Sequence, residues 1–144
     1  MLKGINPIIS PELLKVLHEM GHGDELILCD AYFPAYSLCD TVLRSDGCEA
    51  TELLQAIMPL WELDQYDQEN VMMMSAAQGD KLCEGLVEDY QSALPDDAQI
   101  TFKQRFEFYE KAKNAYCVVV TGTTRKYGNI IIKKGVFENE AAAP

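Results

Sequence analysis

His18 and His22 are the only two histidines of the chain, and they bracket HEMGH, the spacing at which zinc peptidases hold their metal. In such a site both rings project from one face of an unbroken helix, and the glutamate between them acts as base. Here Gly23 follows His22, then an acidic pair and a strand-like apolar run, so no helix continues. No third histidine exists to complete a ligand set, and the zinc metallohydrolase reading is set aside; no metal is expected. His22 alone invites other chemistry. Gly21 and Gly23 on either side permit unusual backbone angles and leave the ring uncovered. An imidazole of reference pKa ~6.5 gives and takes protons near neutrality. A histidine that only closes a helix end is the plainer alternative, and it stays open on these grounds. His18, at mid-helix, reads as a surface or packing residue with no role.

Three other places carry groups suited to holding a polar ligand. Asp30 ends the apolar run LILCD, where a carboxylate must find partners or face a cleft; it could grip a hydroxyl or cap its own loop. Arg105 opens a helix, where a positive charge opposes the dipole, so a carboxylate, a sugar hydroxyl or a subunit contact is expected to use it. Tyr127-Gly128-Asn129 enters the last strand, with a glycine for close backbone approach and a phenol and amide for hydrogen bonds; turn chemistry explains the triplet nearly as well. Phe106, Phe108 and Tyr109 are read as core or interface rather than ligand-stacking rings.

The elements that must position these groups are legible in outline. Ser10-Pro11-Glu12 is a helix start with cap, first-turn proline and dipole-matched acid, followed by an apolar stripe at Leu13, Leu14 and Leu17. LILCD is a short buried strand, AYFPAYS a loop in which Pro34 excludes regular structure, and TVLR a second strand closed by Ser45-Asp46-Gly47. A helix opens at Thr51-Glu52 and is kinked or ended by Pro59. VMMMS is a strand, and Gly79-Asp80 turns into an acidic helix carrying Leu82, Leu86 and Tyr90. ITFK, CVVVTG and NIIIKKG supply three more strands around the helix RFEFYEKAKNA. Helices alternating with continuously apolar strands predict one three-layer α/β/α domain over 1–144, with a mostly parallel central sheet and a frayed tail from 137. Ligands in such sheets sit at the carboxyl ends of strands, which singles out the loops after LILCD and VMMMS and the turn between the last two strands.

Composition narrows the function classes. With 12 basic and 23 acidic side chains among 144 residues, the net charge of −11 argues against nucleic acid. No apolar run approaches the ~20 residues that cross a bilayer, so no membrane partner is expected. Five cysteines, odd in number and without a CxxC pair, fit reduced thiols in a cytoplasm. Neither GxGxxG nor a P-loop is present.

The blocks SPELLKVLHEMGHGDE, LLQAIMPLWELD, RFEFYEKA and KYGNIIIKKGV resemble, in that order, the D-ribose pyranase and L-fucose mutarotase family, and the L-fucose branch more than the ribose branch. The resemblance covers nearly the whole chain. It implies a ribose pyranase-like fold and a cofactor-free mutarotase, an isomerase that interconverts the α and β anomers of L-fucose through the open-chain aldehyde. It also implies a ring-shaped homo-oligomer, a decamer, with pockets near subunit contacts. His22 would be the proton donor, and Asp30, Arg105, Tyr127, Gly128 and Asn129 would bind the sugar, with Tyr127 available as a second proton carrier. The sequence departs from its relatives at Tyr32, and Tyr36 also stands at a variable place; both lie in the loop after Asp30, which leaves the preferred sugar open. A ribose-specific mutarotase and a non-catalytic sugar-binding module are the competing readings.

Overall fold

Six strands form one sheet in the order β2-β5-β1-β6-β3-β4. The computed structural model describes residues 1–137. The strands are β1 (Glu25–Cys29), β2 (Val42–Ser45), β3 (Val71–Met74), β4 (Ile100–Lys103), β5 (Cys117–Thr121) and β6 (Ile130–Lys133). β1 and β2 each pair parallel with β5, and β3 pairs parallel with β4. β6 lies between β1 and β3 and runs against both, so five strands point one way and one opposes them. The antiparallel strand follows from the short link between β5 and β6, which leaves no length for a crossover helix.

Helices cover both faces. α1 (Pro11–Glu19), α3 (Ala50–Ile57) and α4 (Leu86–Ser92) pack over Leu26, Leu28, Val71, Met73, Val119, Ile130 and Ile132. The opposite face, built from Ile27, Cys29, Met72, Met74, Val118, Val120 and Ile131, is covered by α2 (Ala35–Leu38) and α5 (Arg105–Lys113). The alternation explains the uninterrupted apolar strands β1, β3, β5 and β6, whose successive side chains enter different cores, while the edge strands β2 and β4 leave Arg44 and Phe102 exposed.

α1 begins as its sequence predicts, with the Ser10 hydroxyl accepting the Leu13 N–H at 3.1 Å and Pro11 in the first position. It ends at Glu19, and Met20 is already extended. His22 therefore stands beyond the helix, and His18 and His22 share no helical face. Pro59 ends α3 by passing the chain into a 3-10 turn, Met58–Leu60.

Three expectations are corrected. AYFPAYS is not wholly irregular, because Pro34 fits the N-cap position of the one-turn α2. The acidic helix starts at Leu86 rather than near Asp80; Gly85, at φ +81°, precedes it, and Leu82 stays in the loop. Tyr36 stands on α2 rather than in a loop, with the Arg44 guanidinium 5.8 Å from its ring centre. The frayed tail expected from residue 137 falls, Phe137 apart, outside the described residues.

Candidate active site

All three strand-end loops singled out in the sequence converge on one cavity of about 510 Å³ at the carboxyl ends of the parallel strands. The loop after β1 contributes Asp30, Tyr32, Phe33 and Pro34; β3 and its loop contribute Met74 and Cys83; the β5–β6 turn contributes Thr124, Lys126, Tyr127 and Asn129. α5, which starts after β4 at the same sheet end, adds Arg105 and Tyr109.

Asp30 is buried at the end of β1, where its backbone N–H donates to Asn129 Oδ1 at 2.8 Å and its Oδ1 accepts the Tyr32 N–H at 2.9 Å. Burial pushes its carboxyl above the ordinary carboxylate value, opposed by the N–H groups of Tyr32, Gly128 and Phe33 and by the Asn129 amide. Asp30 and Asn129 thus form a cross-strand pair 99 residues apart in sequence. The Arg105 guanidinium lies over the Phe106 ring at 4.7 Å and makes no ion pair among the described residues, which leaves its donors free for a ligand.

Tyr127 has φ +63°, a left-handed conformation uncommon for a non-glycine residue. Its hydroxyl donates to Asp80 Oδ2 at 2.8 Å, and Lys126 Nζ donates to the same oxygen at 2.8 Å. Asp80, in the loop after β3, therefore clasps two residues of the cavity wall. Its carboxyl is held down to about 2, first by Lys126, then by the Lys81 N–H and the Tyr127 hydroxyl. Gly128 is confined by packing: a Cβ there would lie 2.8 Å from the Arg125 carbonyl oxygen and 3.1 Å from the Tyr90 hydroxyl, which itself donates to the Gly128 carbonyl at 2.9 Å.

His22 is elsewhere. It precedes β1, whereas Asp30 follows it, and at ~3.3 Å per residue the five strand residues hold the two sheet ends about 16 Å apart. The His22 loop is fastened to the far end of β6: Gly23 N–H donates to the Lys134 carbonyl at 2.8 Å, and Lys134 Nζ donates to the carbonyls of Leu17 and Met20. The imidazole is 43% exposed, with Nε2 3.0 Å from Oδ1 of the buried Asp64 and the Tyr66 ring centre 5.3 Å away. Burial works against the Asp64 charge, but the Tyr66 N–H and His22 outweigh it and hold the carboxyl below its ordinary value.

The structure thus brings Asp30, Arg105, Tyr127 and Asn129 together, with Gly128 between the last two, and sets His22 apart from them. Sequence reasoning passed over Thr124, Lys126 and Cys83 in the cavity wall and both clasping carboxylates, Asp64 and Asp80. Their place in the loops already singled out after β3 and between β5 and β6 was signal enough for the first three. Nothing local marks Asp64, which meets His22 across 42 residues.

A small-ligand pocket at the strand ends of a helix-covered sheet defines a class, the α/β ligand-binding domain. Within it, the chain belongs to the RbsD / FucU transport protein family, whose pattern matches residues 3–137. It is 53% identical over 140 residues to the L-fucose mutarotase of Histophilus somni, covering 94% of this chain and 97% of that one. It superposes with a TM-score of 0.88 on the Streptococcus pneumoniae fucose mutarotase in complex with L-fucose, at 42% identity, over 94% of this chain and 99% of that one. The Bacillus subtilis RbsD complexed with D-ribose shares the fold, with a TM-score of 0.76 at 20% identity over 95% of this chain and 99% of that one. The α/β fold anticipated from the sequence is the fold of these structures.

Proposed function

We propose that this chain is an L-fucose mutarotase that interconverts the α and β anomers through the open-chain aldehyde. The observation that carries this reading is the gathering of Asp30, Arg105, Tyr127 and Asn129 around one cavity, in a chain similar over nearly its whole length to proteins bearing that activity. Asp30, Asn129 and Arg105 offer acceptors and donors for ring hydroxyls. Phe33, Met74 and Tyr109 form an apolar wall suited to the methyl group that L-fucose carries and ribopyranose lacks.

Ring opening takes a proton from the anomeric hydroxyl and delivers one to the ring oxygen; closure on the other face of the aldehyde reverses both transfers. His22 gives and takes these protons. Since about 16 Å of strand separates it from the cavity of its own chain, it serves the cavity of a neighbouring copy. Exposed aromatic rings flank both halves: Tyr66, 80% exposed, beside His22, and Tyr32, 65% exposed, in the cavity wall. Contact of one sheet end with the opposite end of the next copy is head-to-tail, and such contacts form a ring where the rotation between copies closes; the family resemblance implies a ring of ten copies, and native mass determination tests that number. Five free thiols suit a cytoplasmic setting, and no helix of the described residues is long and apolar enough to cross a membrane.

Exchange NMR on L-fucose tests the activity. The protein is expected to speed anomer exchange, and His22→Ala to lose about 10²–10⁴-fold. Anomer exchange equal with and without the protein leaves only a sugar-binding module.

A further inference from the structure

We propose that Asp64 is a positioning residue for the proton carrier: it accepts the Nε2 proton of His22, so that Nδ1 is the nitrogen that exchanges protons with the sugar. The inference rests on the reading of His22 as that carrier.

An ionised carboxylate has only acceptors, so the ring nitrogen 3.0 Å from Asp64 Oδ1 must carry a hydrogen. In neutral His22 that leaves Nδ1 bare, and proton uptake there creates an imidazolium whose far side already faces a negative charge. The carboxylate is itself well fixed. Oδ1 also accepts the Tyr66 N–H at 3.0 Å, the Asp64 N–H donates to the Lys133 carbonyl at 2.9 Å, and the Asp64 carbonyl accepts from Asn70 Nδ2 at 2.6 Å. Behind it stands Gly135, where a Cβ would lie 2.7 Å from the Asp64 Cα. The other nearby charges are occupied: Lys133 Nζ with Asp67, Lys134 Nζ with the Leu17 and Met20 carbonyls, and Asp24 with the Gly21 N–H. The half-exposed imidazole thus turns on one buried, anchored acceptor, an arrangement that orients a base without touching the substrate.

The test is a double-mutant cycle on anomer exchange with Asp64→Ala, since in Asp64→Asn the oxygen that takes the Tyr66 N–H still accepts the Nε2 proton. The single variant is expected to lose about 10²-fold in kcat with KM little changed, and to cost nothing further in a His22→Ala background, because the two act as a unit. Long-range ¹H–¹⁵N spectra of the wild type should show the neutral ring protonated at Nε2. A proton on Nδ1, an unchanged kcat in Asp64→Ala, or an equal loss with and without His22 overturns the inference while leaving His22 as carrier. If His22→Ala alone exchanges L-fucose at the wild-type rate, the underlying reading fails, and this inference with it.

Discussion

The separation of His22 from the cavity makes a quantitative prediction about mixed assemblies. His22→Ala removes the proposed proton carrier and keeps the cavity; Asp30→Asn damages the cavity and keeps that histidine. Each variant alone is expected to be nearly inactive, since every site then lacks one half. Co-assembled from equal amounts by joint expression, a site is intact when its cavity comes from the first variant and its histidine from the second. Random head-to-tail assembly makes each condition true half the time, so about a quarter of the sites are whole. Exchange NMR on L-fucose should therefore recover about a quarter of the wild-type rate per chain, against losses of about 10²-fold or more for the separate variants. A site built within one chain predicts no recovery, because no chain carries both intact halves. Activity of the mixture no greater than the mean of the separate variants refutes the shared site.

Two further outcomes follow from the cavity wall. Gly128→Ala places a methyl 2.8 Å from the Arg125 carbonyl oxygen and against the Tyr90 hydroxyl, so urea unfolding should show a loss of about 1–3 kcal/mol, and the YGN segment should bind fucose more weakly in calorimetry. The Asp80 carboxyl should titrate with a midpoint near 2 by ¹³C NMR, below its ordinary 3.8. A depressed folded value stabilises the fold above pH 3.8, and that contribution is lost as pH falls through about 2; Asp80→Asn should remove this acid-side dependence and free the Tyr127 hydroxyl. An ordinary midpoint refutes the clasp.

Much of the fold was legible because its signals are local. Ser10-Pro11-Glu12 begins α1 by satisfying its first N–H groups, and runs such as CVVVT are strands because β-branched residues suit a pleated surface buried on both sides. Asp30 was recognisable for the same reason: a carboxylate directly after LILC can only stand at a strand end. Boundaries were missed where context outweighs local preference, as at Pro34, which caps α2 instead of excluding it, and at Leu82, which carries a helical pattern outside α4.

The sequence by itself determined the elements, the strand-end loops and the residue types able to bind a sugar and move a proton, since these depend on neighbours within a few positions. Only the tertiary structure decided which of them meet. Strand register brings Asn129 to Asp30, the β3 loop brings Asp80 to Tyr127, and the end of β6 anchors Asp64 beneath His22. The length of β1 then keeps that histidine from its own cavity. Such pairings depend on how distant strands align, and a residue's type carries no record of the partner that packing will set against it.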